Sequence, residues 1–404
     1  MKKLFLNFMA IIAMASVFVA CETPTTPQDP DDEKDTTIVA TSSLMPIFAE
    51  DGATFQGISH NGKWAVGYNQ TDADNTGYTI AASLWNLETG ERTILTPAEE
   101  GMSQANCVND AGTIIGGAYL HQPAYYQNGQ WHTLQLPEGY TMGVVNSMAE
   151  VNGQLIFVGY VQADDAATNI AAAKWVNGVY ERANPNTLRD DRIGEEALVN
   201  ACFAISEDGN VIVGALEFNS PECARPFVIT PNDAFSIELA TEQNKNTSYL
   251  WWPRMSANGK YITGCYRDIV YNPGEQFPSI DIFKPCLYNV ETKQFQTIEK
   301  SDVLWNEWGG WAVDNNGVIY ANTPVNQHPI RQGYVITNGE AVELEQMLLA
   351  NGITQEAIDA VLPPAEAEFE NKLGTIIAVS RDGKTIIGCA GQTTYYNWVA
   401  KIAK

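Results

Sequence analysis

Seven times along this chain a short apolar segment meets a polar pair ending in Gly and turns into a second apolar segment. The instances are GISHNGKWAVG from Gly57, CVNDAGTIIGG from Cys107, MAEVNGQLIFVG from Met148, AISEDGNVIVG from Ala204, RMSANGKYITG from Arg254, AVDNNGVIYAN from Ala312 and AVSRDGKTIIG from Ala378. Asn-Gly and Asp-Gly between alternating apolar runs are the strongest short-range hairpin signal, and they predict type I′ turns with positive φ at both central residues. Seven similar hairpins define a repeat protein, and a repeat period fixes architecture before any single residue is weighed.

The turn glycines are Gly62, Gly112, Gly153, Gly209, Gly259, Gly317 and Gly383, with gaps of 50, 41, 56, 50, 58 and 66 residues. That is too long for a solenoid rung and close to a propeller blade of four strands. A blade needs a second hairpin. One is readable after most of the first, as in AASLWNLETGERTIL from Ala81, PAYYQNGQWHTLQL from Pro123, AAAKWVNGVYERA from Ala171 and KPCLYNVETKQFQTI from Lys284. The seventh repeat lacks its outer strand, because the chain stops at Lys404 soon after NWVAKIAK. The N-terminal run SLMPIF, residues 43–48, is an apolar strand without a partner of its own. Pairing it beside Trp398–Ala403 closes the ring and removes two exposed edges. The predicted fold is therefore all-β: a seven-bladed β-propeller of four-stranded blades over residues 43–404, closed by the N-terminal strand. A short helical insertion precedes the last blade, since LEQMLLANG and TQEAIDAVL have helical spacing with Gly352 and Pro363 as stops. Helices there are expected to cap the face that carries the long connections.

These residues resemble the extracellular HAF-type repeat. The match is best at Ile205, Ser206, Asp208, Gly209, Ile212, Val213 and Gly214, and at Val379, Ser380, Asp382, Gly383, Ile386, Ile387 and Gly388. The sixth repeat departs, with Ala321 and Asn322 where others carry Gly. The eponymous His-Ala-Phe is also missing, the position reading Ser83-Leu84-Trp85 or Pro226-Phe227-Val228. The resemblance implies a propeller-like fold and an extracellular address. It implies no reaction, because the matched positions are turns and core.

The N-terminus agrees with that address. Lys2 and Lys3 precede the apolar run Leu4–Ala20, which ends in Phe18-Val19-Ala20-Cys21. A basic start, a short apolar core and small residues before the cut describe a signal peptide over residues 1–20. Cys21 resembles the lipidated Cys of a bacterial lipoprotein box, with Phe18 an unusual first member; an ordinary signal peptide with an incidental Cys is the other reading. Residues 21–42 then read as an acidic tether, since Glu22, Asp29, Asp31, Asp32, Glu33 and Asp35 face one Lys and three prolines with no aromatic. An acidic stretch after the Cys also resembles the surface-export signal of Bacteroidetes-type lipoproteins, and Asp35-Thr36-Thr37 their O-glycosylation site. The expected address is an outer membrane, lipid-anchored and facing outward. Charge restricts partners further. The net charge of −25 becomes −27 once Lys2 and Lys3 are removed, which argues against nucleic acid and against electrostatic docking on anionic lipid. Membrane attachment then rests on the lipid.

No enzyme motif is present: no HExxH, no G-x-S-x-G and no phosphate loop. His60, His121, His132 and His328 are scattered and read as solvated turn or strand-end residues. Asp72-Ala-Asp74-Asn-Thr76-Gly77 begins like a calcium loop, but Ser83 stands where a bidentate Glu is required. No metal or cofactor is expected. Cys107, Cys202, Cys223, Cys265, Cys286 and Cys389 follow no disulfide framework or metal spacing. Cys265 and Cys286 fall on adjacent strands of one blade, where a bridge is conceivable.

The aromatic residues carry more. Trp85, Trp175 and Trp398 share a third-strand slot with Tyr126, Phe227, Tyr288 and Tyr334, as wedges between blades. Trp251, Trp252, Trp305, Trp308 and Trp311 lie outside that slot, in the segments TSYLWWPRM and DVLWNEWGGWAV that join an outer strand to the next inner strand, on the long-loop face over blades four to six. With Tyr249, Arg254, Arg267, Tyr271 and Glu307 they are the candidate ligand-binding residues, since clustered exposed aromatics mark binding sites. The alternative is that several plug the channel or seal blade interfaces. The leading expectation is a cell-surface lipoprotein binding module offering an aromatic face to a glycan or protein. A propeller glycoside hydrolase or polysaccharide lyase is the enzyme alternative, and a scaffold subunit of an outer-membrane complex the third.

Overall fold

The computed structural model describes residues 41–49, 52–72, 78–96, 101–163, 170–183, 199–217, 225–237, 239, 249–270, 280–300, 308–323, 332–362, 373–390 and 396–403. The chain opens with β1 (Ser43–Phe48). Blade one follows as β2 (Thr54–Ile58), β3 (Trp64–Asp72), β4 (Tyr78–Asn86) and β5 (Arg92–Ile94), and blade two as β6 (Ser103–Val108), β7 (Ile114–Tyr119), β8 (Gln122–Gln127) and β9 (Gln130–Thr133). Blade three is β10 (Met142–Val151), β11 (Gln154–Gln162), β12 (Ile170–Val176) and β13 (Val179–Arg182). Blade four is β14 (Val199–Ile205), β15 (Ile212–Glu217), β16 (Arg225–Ile229) and β17 (Ala234–Ser236). Blade five is β18 (Tyr249–Met255), β19 (Tyr261–Val270), β20 (Ile280–Asn289) and β21 (Gln294–Thr297), and blade six β22 (Gly309–Val313), β23 (Ile319–Thr323), β24 (Gln332–Thr337) and β25 (Glu340–Glu343). Helices α1 (Leu344–Ala350) and α2 (Gln355–Val361) precede the last blade, which is β26 (Ile376–Val379), β27 (Thr385–Ala390) and β28 (Tyr396–Lys401).

Within each blade consecutive strands pair antiparallel. Blades three and four also touch through one parallel pair, Ile170 with Val199. The first strands β2, β6, β10, β14, β18, β22 and β26 contact one another in that order, and β26 returns to β2. They form the inner ring of a seven-bladed propeller. The three-stranded seventh blade is completed as the sequence predicts: β1 pairs antiparallel with β28, Ser43 opposite Lys401 and Phe48 opposite Tyr396. Leu44 and Ile47 on β1 are buried, and Leu44 joins Trp398, Ile386 and both helices in one cluster. Closure thus uses the outermost strand, where an unpaired edge would otherwise be exposed.

The first hairpins of six blades turn differently from the expectation. All seven turn glycines have φ between 70° and 80°, but only in blade three does the preceding residue, Asn152, also have positive φ. The others are wider loops built on side chains. In blade one the Ser59 hydroxyl is buried, donates to Asn61 Oδ1 at 2.8 Å and accepts from the Trp64 amide at 3.0 Å. Ser206, Ser256 and Ser380 repeat this arrangement. The hydroxyl satisfies loop amides that an I′ turn would not leave free, so a type I turn with a left-handed Gly suffices. The I′ geometry appears instead in three second hairpins, at Asn128-Gly129, Asn177-Gly178 and Asn338-Gly339.

The third-strand aromatics are the core. Trp85, Trp175, Trp398, Phe227 and Tyr334 are essentially inaccessible. Second-strand glycines make room for them: Gly388 lies opposite Trp398 and Gly214 opposite Phe227, and a Cβ on either glycine would overlap the ring. The helices form where their spacing predicts. They do not cap a face: α1 packs on β24 and β25, and α2 on β1 and β28, burying Leu344, Leu348, Ile358 and Val361 beside the closing strand. Cys265 and Cys286 do sit on adjacent strands, but Gly264 is opposite Cys286 and Cys265 opposite Pro285. That one-residue offset turns the side chains to opposite faces, and no disulfide joins them.

Candidate functional site

The inner ring carries a feature that motif reading misses. All seven first strands break register once, six residues before the turn Gly in six blades and seven before it in blade three. The residue left out of the ladder is Gln56, Asn106, Asn146, Phe203, Trp311 or Ile377 in blades one to four, six and seven, and in blade five both Trp252 and Pro253 are left out. A bulge swells its strand away from its ladder partner, and an innermost strand has a partner only on its outer side. The bulges therefore stand on the axial side of the ring. Two of them reach along it: the Asn106 amide donates to the Val145 carbonyl and the Asn146 amide to the Cys202 carbonyl, each at 2.8 Å.

Blade five departs from its six neighbours. The residue before the bulge is buried in the others, as Phe55, Ala105, Val145, Cys202, Gly310 and Ile376. At the equivalent place in blade five, inside a wider break, stands Trp252, which is 39% exposed with φ of 49°. A bulky residue in the left-handed region is a backbone outlier, costing of order 1–3 kcal/mol and found most at functional sites. Buried Pro253 occupies the bulge slot, and the turned-out indole stacks on Trp311, the bulge residue of blade six, at 5.0 Å and 20° between planes.

The other predicted residues divide. Trp308 is a correction: it is 2% exposed and packs edge-on against Tyr334 at 5.7 Å, within the core of blade six. It lies one residue before β22, where the chain enters the sheet, so it wedges instead of projecting. Arg254 is half-buried on β18, and burial holds its guanidinium below the ordinary arginine value. Arg267 lies over the Phe283 ring at 4.8 Å. Tyr249 and Trp251 are on β18 opposite Arg267 and Cys265. Trp305, Glu307, Tyr271 and Cys21 lie outside the described residues.

A second cluster sits at the channel mouth on the Gly-turn end. Arg381 of blade seven pairs with Asp110 of blade two and, at 2.8 Å, with Glu207 of blade four. His60 of blade one stands 3.9 Å from Glu207 with a third of its side chain exposed, so it belongs to this cluster instead of standing alone in its turn. Burial pushes His60 below its ordinary value against the raising influence of Asp110 and Glu207. These groups line a cavity of about 530 Å³ with Glu150, Asp208 and Met148. Main-chain bonds join successive turns around the mouth, from Arg381 N–H to the His60 carbonyl and from Asn315 N–H to the Arg381 carbonyl. The signal was available in sequence: these side chains follow the leading residue of each turn, in SHNG, NDAG, SEDG and SRDG. Among the described residues no cluster of His, Cys, Asp and Glu could hold a metal ion.

Strand order, ring closure and the bulged inner ring define the class: a seven-bladed β-propeller. No family model matches the chain, and no curated protein does. Solved structures do. The chain is similar to hydrazine synthase of Kuenenia stuttgartiensis, with TM-score 0.51 and 12% identity over 86% of this chain and 95% of that one. It also matches an oligogalacturonate lyase in complex with manganese, at 0.47 and 10% over 90% and 98%. The β-propeller domain of the Trilobed protease from Pyrococcus furiosus, which has an open velcro topology, matches at 0.45 and 10% over 89% and 97%. At these identities the likeness concerns fold alone.

Proposed function

We propose that this chain is a binding propeller of the cell surface, offering an aromatic surface on its inner ring to a glycan or protein. The observation that carries the reading is Trp252. Six blades bury the equivalent residue, and this one turns a large indole outward through a left-handed backbone to stack on Trp311. Such strain persists only where surrounding structure imposes it, and exposed paired aromatics are the groups that anchor ligands. Screening the protein against arrayed glycans and surface proteins tests this. The reading expects hits that Trp252→Ala abolishes; hits of equal strength with that variant would move the site elsewhere.

The address is part of the same proposal. The apolar run ending in Val19-Ala20-Cys21 and the acidic segment after it support a lipid anchor on Cys21 and an outward-facing position. Cys21→Ser should leave the protein unprocessed or soluble. Membrane retention at normal mature size would mean a different anchor.

A further inference from the structure

The bulge ring has two unlike halves. Blades one to three place amides at the bulge, Gln56, Asn106 and Asn146. Blades four, six and seven place Phe203, Trp311 and Ile377 there, and blade five adds Trp252 beside Pro253. We infer that the ring is a two-sided seat for the pyranose rings of a neutral oligosaccharide, entered from the end of the channel opposite the Gly turns. This rests on the reading of Trp252 and Trp311 as a ligand surface. It adds the facing wall, the charge of the ligand and the direction of entry.

A pyranose has an apolar C–H face and a rim of hydroxyls that both donate and accept. The aromatic half offers stacking surface for the face. The amide half suits the rim. Asn106 and Asn146 each use one N–H on the next blade's carbonyl, which fixes the side chain and leaves a carbonyl oxygen and a second N–H. Gln56 is exposed and bonds only locally, to Thr54 at 3.4 Å. A wholly apolar ligand would strip water from three amides without replacing its bonds, and a wholly polar one would leave the indoles unmatched.

Charge selects among saccharides. The seat carries only neutral groups, the chain carries −25, and Asp110, Glu150, Glu207 and Asp208 line the opposite mouth. An anionic polysaccharide meets net repulsion from the chain's charge. The same mouth explains entry. Arg381, Asp110 and Glu207 come from blades seven, two and four, so their ion pairs bridge the axis there.

The test is titration of the full chain with cellohexaose, laminarihexaose, xylohexaose and mannohexaose, and with polygalacturonate as the anionic probe. At least one neutral hexaose should bind and polygalacturonate should not. Trp252→Ala and Gln56→Ala should each weaken binding about tenfold or more, and the exposed Gln56 makes its variant safe for folding. If Trp252→Ala weakens binding while Gln56→Ala and Asn146→Ala leave it unchanged, the aromatic surface stands and the two-sided seat is overturned. Stronger binding of polygalacturonate than of any hexaose overturns the neutral-ligand assignment. If no hexaose binds at millimolar concentration, the saccharide seat is overturned, and a protein hit lost in Trp252→Ala would still leave the aromatic surface standing.

Discussion

Removing residues 43–49 tests what holds the ring shut. The deletion takes β1 from β28 and strips the outer edge of the last blade. Leu44 and Ile47 are 9% and 5% exposed, and burying such side chains is worth about 1.5–3 kcal/mol each. Their loss alone amounts to about 3–6 kcal/mol, before the ladder hydrogen bonds and the contact of α2 with β1 are counted. Unfolding entropy is about 2.1 cal/mol/K per residue, which over the unit Thr41–Lys404 gives about 0.8 kcal/mol/K. The deletion should therefore lower Tm by about 4–8 °C or more in scanning calorimetry. Single substitutions on the same strand sharpen the test. Ile47→Ala should cost about 2–5 kcal/mol, whereas Phe48→Ala should cost about 1 kcal/mol, since Phe48 is 56% exposed and makes one edge contact with Tyr396. An unchanged Tm after deletion, or equal effects of Ile47→Ala and Phe48→Ala, would refute closure by a buried strand.

Two further predictions follow from the core and the mouth. Gly388→Ala should destabilise by about 1–3 kcal/mol in denaturant melts, because the added methyl overlaps the Trp398 indole and abuts the Thr375 carbonyl; a neutral result would mean the Gly–Trp pairing is not what shapes the blade. Because burial lowers His60 in the folded state, the unfolded chain binds its proton first as pH falls. Its contribution to stability is then full above about pH 6.5, declines as pH drops toward the depressed folded value, and levels off below it. His60→Gln should remove that component from a stability–pH series, and an unaltered slope would place the titration on another group.

The hairpin glycines and the orphan SLMPIF segment were sufficient to reach blade number, strand count and closure, because backbone requirements leave local marks in sequence. The helices at Leu344 and Gln355 were legible for the same reason. The type I′ turns were misassigned because Ser59, Ser206, Ser256 and Ser380 supply side-chain bonds that a dipeptide rule ignores. Trp308 and Trp252 show the harder limit. Both fall outside the repeat's aromatic slot, yet one is core and the other turned outward. What separates them is register: Trp308 precedes β22 at the sheet's entrance, while Trp252 lies with Pro253 inside the register break of β18. The bulge ring was unreadable as a motif, since its members are unlike residues that only the ring brings together, whereas His60, Asp110, Glu207 and Arg381 share one turn position that was visible but not read as a cluster.

The most direct test of the account compares Trp252→Ala with Trp308→Ala, measuring melting and binding to a ligand found by array. The account predicts that Trp252→Ala keeps its Tm close to that of the parent and loses about 2 kcal/mol or more of binding free energy. Trp308→Ala should instead lose about 3–5 kcal/mol of stability, because its ring is packed against Tyr334. A Trp252→Ala protein that melts as early as Trp308→Ala, or that binds as tightly as the parent, would contradict the claim that the inner ring carries an aromatic binding surface.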